Sequence, residues 1–374
     1  MRFVLALVIL LAALVPISSH AAAEPTGARV LLVVSGNGRD EGRSRPGFEY
    51  DEFAQSWVVL RDNGVTVEVA SPQGGPVEVD AFEPEKPYNA RALADPAAQA
   101  ALQATLTTGA VDPARYAGVF VLGGGGAMFD LYRDPGLKRV LEEVHAAGGV
   151  IGAVCHGSVV LADLRDAAGR PLVAGRRITG FTNAEERLFG ARWSKTYPVL
   201  LEDALKAAGA SFAEGAPMLP HVVSEARVVT GQNPFSTSLA VEAMLRAMGR
   251  EPAARTAWQD EASLLLVQRR LQGNHAAVRA ELAAAPAAFD LLLIGMWGYH
   301  RAVQAGEDRT MLEEAADIMA LVADRVAEPR LTLALARAEI RLARNAQARA
   351  RLEELLARAP NLAPARQLLA GLAE

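Results

Sequence analysis

Residues 149–158 read Gly149-Val150-Ile151-Gly152-Ala153-Val154-Cys155-His156-Gly157-Ser158. The apolar run from Gly149 to Val154 does not alternate with polar residues, as expected of a strand buried on both faces of a parallel sheet. It runs straight into Cys155, and a helical run from Ser158 to Leu164 follows Gly157. A strand that turns at once into a helix projects the side chain at the turn above the sheet, the geometry of a nucleophile elbow. Backbone amides and the helix dipole at such a turn favour the thiolate, the reactive form of cysteine. Cys155 is the one cysteine of the chain. That excludes an internal disulfide and a multi-cysteine zinc site, and leaves the thiol free for chemistry.

Outward from this segment, strand and helix signals alternate. Arg29 to Ser35 is a continuous apolar run ending at Gly36-Asn37-Gly38, and Glu49 to Asn63 has helical spacing closed by Gly64. Val65 to Ala70 and Gly118 to Leu122 are further strands, the second ending in four glycines, Gly123 to Gly126. Leu137 to Ala147 reads as helix, and Ile178-Thr179-Gly180 and Ala226 to Thr230 as short strands. This alternation implies right-handed crossovers and an α/β fold, a flavodoxin-like, mostly parallel sheet with helices on both faces.

Composition divides the 374 residues. Residues 24–250 hold 27 of the 32 glycines, whereas residues 251–374 hold 32 alanines with many Leu, Arg and Glu. The boundary falls near Gly249-Arg250-Glu251-Pro252, a helix stop and restart. Beyond it the sequence predicts an all-α domain with helices over 253–271, 274–285, 287–305, 308–327, 331–343, 346–358 and 363–372. Its last part is tetratricopeptide-like in pattern, with an irregular bundle as the alternative. The tail is expected either to recruit a peptide or protein partner, or to be structural, capping the first domain or mediating a homodimer. In either case the chemistry is expected in residues 24–250, and truncation after Gly249 is expected to keep kcat within about tenfold.

Residues 1–23 read as a signal peptide: Arg2, an apolar run from Phe3 to Val15, and the small residues Ala21-Ala22-Ala23. Cleavage there implies a periplasmic or secreted protein with no stable membrane span after processing. The net charge of −5 with no basic run argues against nucleic acid as a partner. The six histidines show no metal-ligand spacing, and His221 and His300 read as structural. Gly123 to Gly126 lacks the features of a phosphate loop, so no metal and no cofactor is expected.

An acid to partner Cys155 should come from another strand end. Glu49, Asp51 and Glu52 open the helix after the first strand; two of the three are expected to be ordinary first-turn carboxylates and one to reach the sulfur. Six ordered motifs, GFEYDEFA, VEVASPQGGPVEVD, GGGGAMFDL, VCHGS, ITGFTNAEE and VVTGQNPFS, then make residues 27–250 resemble the DJ-1/PfpI superfamily. That superfamily has the class I glutamine amidotransferase-like fold, and within it the sequence resembles the Hsp31-like glyoxalase III and chaperone group. The resemblance implies Cys155 as nucleophile, His156 as the histidine beside it and Glu52 as the glutamate that partners the sulfur. It leaves either acid of Ala184-Glu185-Glu186 to orient His156, with Glu185 preferred. The amides of Gly124 and Gly125, with that of His156, would hold an oxyanion. The sequence departs from relatives at Gly125, where histidine is frequent, and at Ser56, where proline is frequent.

The implied activity is a lyase: cofactor-independent conversion of methylglyoxal, or a related small reactive carbonyl, to a 2-hydroxy acid such as D-lactate through a Cys155 hemithioacetal, serving detoxification in the stress response. A cysteine peptidase or amidase is the enzymatic alternative. A stress chaperone or interaction protein is the non-enzymatic one.

Overall fold

The computed structural model describes residues 27–372; the signal-peptide reading of residues 1–23 lies outside them. Its centre is a seven-stranded sheet in the order β3-β2-β1-β4-β5-β9-β8. The inner strands are β1 (Arg29–Val33), β4 (Gly118–Val121) and β5 (Val150–Val154), each apolar and buried along nearly its whole length. They pair in parallel with one another, and β1 and β5 pair in parallel with β2 (Thr66–Ser71) and β9 (Val228–Gly231). Burial on both faces explains why these strands read as unbroken apolar runs. The short β3 (Leu106–Thr107) ends one edge, and β8 (Val222–Glu225), antiparallel to β9, ends the other. The sequence reading ran Ala226 into the last strand. In fact Ala226 and Arg227 both have positive φ and form the tight turn that joins β8 to β9, the twist a two-residue hairpin needs.

Helices cover both faces. On one side lie α1 (Tyr50–Asp62), α2 (Pro87–Ala94), α3 (Pro96–Gln103) and α8 (Thr237–Ala247), whose Phe53, Trp57, Leu60 and Met244 pack on the β1, β4 and β5 side chains Leu32, Phe120 and Val154. On the other side lie α4 (Ala127–Asp130), α5 (Pro135–Ala146) and α7 (Leu201–Ala207), with Val140, Leu141 and Leu205 in the second core layer; the short α6 (Asn183–Phe189) precedes α7 in the chain. Ile178 belongs not to the main sheet but to a two-stranded ribbon, β6 (Arg177–Ile178) with β7 (Ser211–Phe212).

Residues 259–371 are helical: α9 (Gln259–Leu271), α10 (His275–Ala284), α11 (Leu291–Gln304), α12 (Arg309–Val322), α13 (Pro329–Arg341), α14 (Asn345–Arg358) and α15 (Ala363–Gly371). The expected start at residue 253 is corrected to Gln259. Glu261 closes a capping box on the backbone of Trp258 and is held by Arg255, so the preceding segment is extended. Leu264, Val267, Trp297, Met319 and Leu335 form a core of their own, and it includes two residues from the sheet region, Met218 and Leu219. Among the described residues no helix is long and apolar enough to cross a membrane.

Candidate active site

Strand β5 delivers Cys155 to the C-terminal edge of the sheet, 3% exposed and at φ +55°. A non-glycine residue in the left-handed region is uncommon and strained; here the strain accompanies the abrupt turn. The expected α-helix from Ser158 is instead a 3₁₀ helix from Cys155 to Asp163. The tighter winding follows from crowding: a Cβ at Gly157 would lie 2.6 Å from the Val121 carbonyl oxygen, so the chain hugs β4 as it leaves the strand.

Two groups meet the sulfur, His156 and Glu52, and a third, Glu186, acts through the first. Cys155 Sγ and His156 Nδ1 are 3.3 Å apart. The other ring nitrogen, Nε2, lies 2.7 Å from Glu186 Oε1. A hydrogen bond donated from Nε2 to that carboxylate leaves Nδ1 as an acceptor facing the thiol. Glu52 is fully buried, and its Oε2 accepts the Gly123 N–H at 2.6 Å while its Oε1 has no partner among the described residues. A Cβ at Gly123 would sit 2.8 Å from Cys155 Cβ and 3.0 Å from Glu52 Oε2, so only a hydrogen there lets the carboxyl and the sulfur share the space.

Burial sets the resting protonation. It pushes Glu52 well above the carboxylate range, helped by the charge of Glu49, and the same desolvation, with Glu52 beside it, pushes the Cys155 thiol up. The sequence expectation of a thiolate stabilised by the helix terminus is thus corrected. Loss of solvent outweighs the one hydrogen bond from the His156 amide, so burial favours the protonated form of each group over the charged one.

Glu186, not Glu185, orients His156. Glu185 instead accepts from Thr182 N–H and Oγ1, Met218 N–H and the amides of Gln232 and Asn233. The reason was present in the sequence: Thr182-Asn183-Ala184-Glu185 is a capping box that turns Glu185 back onto the helix start. One residue further round α6, Glu186 faces the imidazole. Asp51 is likewise occupied elsewhere, by Lys86, Tyr88 and Asn89.

Above the sulfur lies a cavity of about 350 Å³. Gly124 and Gly125 line it, and their amides have no acceptor among the described residues, which leaves them free for an oxyanion. Gly124 needs to be glycine: its φ is +85° and a Cβ would stand 2.6 Å from the Glu49 amide. A Cβ at Gly125 would stand 2.9 Å from the Tyr197 hydroxyl, so here Tyr197 occupies the space in which a larger side chain would lie. Phe181 stacks on the His156 ring at 4.4 Å and Tyr197 meets it edge-on. Sequence reasoning missed Tyr197, Trp193 and Asp80, which all line the cavity; the first two come from a loop without a pattern, and Asp80 closes a quoted motif but was given no role. Glu49 also lines it, with a pKa pushed from 4.5 to about 7, chiefly by burial and then by Asp51 and Asp80. Glu49, Asp80 and Glu185 line the cavity and, among the described residues, no lysine or arginine does. Among the described residues no three His, Cys, Asp or Glu side chains group as metal ligands. His300 packs its ring on Phe189 of the cavity wall, and Trp297 Nε1 donates to the Pro217 carbonyl beside Met218. The helical region therefore braces one side of the cavity.

The description of the DJ-1/PfpI family matches residues 44–246. "Glutathione-independent glyoxalase hsp3101" of Schizosaccharomyces pombe is 28% identical over 222 residues, 54% of this chain and 86% of that protein. "Glutamine amidotransferase-like class 1 domain-containing protein 1" of Homo sapiens is 32% identical over 197 residues, 51% of this chain and 86% of that one. The crystal structure of glyoxalase III from Candida albicans superposes with a TM-score of 0.55 at 26% identity, covering 59% of this chain and 97% of that chain. The stretches shared with several other yeast glyoxalases are shorter, 51% to 61% of those proteins.

Proposed function

The chain belongs to the DJ-1/PfpI family, and from that premise we propose that it converts methylglyoxal or a related 2-oxoaldehyde to a 2-hydroxy acid without glutathione, metal or redox cofactor. The observation that carries the reading is the junction of one buried thiol with Glu52, the His156–Glu186 pair and two free glycine amides under a small cavity. The glyoxalase names of several relatives support it. So does the absence of a lysine or arginine among the lining residues, since a neutral dicarbonyl needs no countercharge.

The steps follow from the geometry. His156 Nδ1 takes the thiol proton as Sγ bonds to the aldehyde carbon, and Glu186 stabilises the imidazolium. The new alkoxide is held by the Gly124 and Gly125 amides and protonated to a hemithioacetal. A carboxylate removes the proton on the former aldehyde carbon, giving an enediol, and a proton returns to the neighbouring carbon. Glu52, which lies against the sulfur, becomes that carboxylate by giving its proton to the alkoxide and is suited to this exchange; Glu49, on the cavity surface, is the second candidate. The product is a Cys155 thioester of the 2-hydroxy acid. Water hydrolyses it and restores the thiol, so the sum is 2-oxoaldehyde plus water to 2-hydroxy acid. The aldehyde carbon is oxidised and the ketone carbon reduced within one molecule, and no external electron acceptor enters. Loss of methylglyoxal in glutathione-free buffer tests the proposal, with Cys155→Ser expected to abolish turnover. Equal turnover by that variant refutes it.

A second reading has one observation in its favour. The Cys155–His156–Glu186 arrangement is also that of a thiol amidase, whose leaving amine His156 would protonate. Hydrolysis of small amides with no action on methylglyoxal would establish it instead. The N-terminal sequence adds an exported location, for which intact-mass analysis should find Ala22 or Glu24 as the first residue.

A further inference from the structure

The helical region holds a cluster of charge that the proposed reaction does not use. A cavity of about 340 Å³ lies among α9, α10 and α12. Arg270, at the end of α9, forms its floor and is 5% exposed. Its Nη2 donates to Asp317 Oδ2 at 3.1 Å, but Nε and Nη1 are buried without a partner among the described residues. Asp317 is shared, since its Oδ1 lies 3.4 Å from Arg344 Nη1. Arg279 and Arg325 stand at the exposed mouth. Neither has a carboxylate partner among the described residues, and Arg325 donates only to the Leu282 carbonyl. Three guanidinium groups and one carboxylate thus face the cavity, a net charge of +2 in a chain whose net charge is −5.

Arginine cannot relieve this by losing a proton. Buried N–H donors left unmade are costly, more so when charged, and like charges at one opening repel. A smaller cavity on the other side of Arg270 exposes it to Glu313 and Glu314. Those carboxylates are already engaged by Arg309 and Arg301. The opposite wall of the larger cavity is apolar, formed by Leu282, Ala320 and Leu321.

We propose that this cavity binds a small organic anion, its carboxylate or phosphate head seated on Arg270 and enclosed by Arg279 and Arg325, its short apolar body against Leu282 and Leu321. The fork of donors on arginine matches either head group, and the volume exceeds that of a bare oxoanion while lying in the range of small-molecule sites. The site is independent of Cys155, so its fate does not bear on the reaction assigned above.

Titration calorimetry on the full chain tests it with inorganic phosphate, phenyl phosphate, hexanoate and the neutral hexanamide. Arg279→Gln and Arg325→Gln change exposed side chains, so the fold should survive both, and circular dichroism verifies this. At least one anion is expected to bind saturably with Kd of about 1 mM or tighter, hexanamide is not, and each variant should weaken binding by about tenfold or more. The ratio of phenyl phosphate to hexanoate affinity identifies the head group. Without ligand, the variants should melt no lower than wild type, because they relieve repulsion. No saturable anion binding up to about 10 mM, equal binding of hexanamide, or undiminished binding in the double variant would overturn the proposal.

Discussion

The sheet region and the helical region bury their polar groups for different ends. Around β5 the buried acids Glu52, Glu185 and Glu186 sit within one small volume of Cys155, and glycines let backbone and side chains approach where a Cβ would collide. In the helices, alanine and leucine pack a core and buried charges are mostly paired, as Glu339 is with Arg351 and Glu261 with Arg255. Glycine is used where the backbone itself must reach a ligand, alanine where helices need only close packing. The regions meet at Met218, which belongs to the helical core and also lines the cavity above Cys155.

The comparison breaks first at the thiol. Cys155→Ser should lower turnover by about 10³-fold or more with the melting temperature little changed; a modest loss would move the chemistry elsewhere. Glu52→Gln keeps the Gly123 hydrogen bond but cannot exchange a proton, so kcat should fall about 10²–10⁴-fold. A fall of less than about threefold, far below that range, would make Glu52 structural. Glu186→Gln should lower kcat by about 10- to 100-fold, through the His156 tautomer, with KM nearly unchanged. Glu185→Gln should act on stability and on the cavity wall instead. If the two variants behave alike, the division between neighbouring acids on α6 fails.

Smaller effects sharpen the boundary between regions. Glu49 is raised to about 7, so the folded protein holds this proton more tightly than the unfolded chain. Its contribution to stability is fully present below about pH 4.5 and lost as pH rises through about 7. Wild-type kcat/KM should show an inflection near pH 7 that Glu49→Gln lacks. Trp297→Ala removes a buried indole and its bond to Pro217, at a cost of about 3–5 kcal/mol in stability. Here kcat should stay within about threefold while KM rises, because Met218 loses its support rather than the thiol its partners. Unchanged KM in a folded variant would separate the helical region from the cavity altogether.

Much of this was legible in the sequence because it rests on local pattern. Continuous apolar runs marked β1, β4 and β5, and the strand-Cys155-His156-Gly157 junction marked the elbow. The ends of the tail helices α10, α11 and α13 to α15 fell within a few residues of their Gly, Asn and Pro breaks. What escaped depends on tertiary contact. Burial, invisible to composition, reversed the expected thiolate. Tyr197 reaches the cavity from a loop far from every motif. The Ala226-Arg227 turn carries no glycine or asparagine to announce its positive φ. The choice between Glu185 and Glu186 was readable from Thr182, but only by weighing a helix cap above a motif.

The most direct test of the central claim is nuclear magnetic resonance of methylglyoxal incubated with the purified chain in D₂O without glutathione. Wild type should yield a 2-hydroxy acid carrying deuterium on the carbon next to the carboxylate, because the migrating proton passes through an exchangeable carboxyl group, and Cys155→Ala should yield none. No hydroxy acid from wild type, or the same yield from Cys155→Ala, would contradict the account; product without deuterium would replace the enediol with a direct hydride shift.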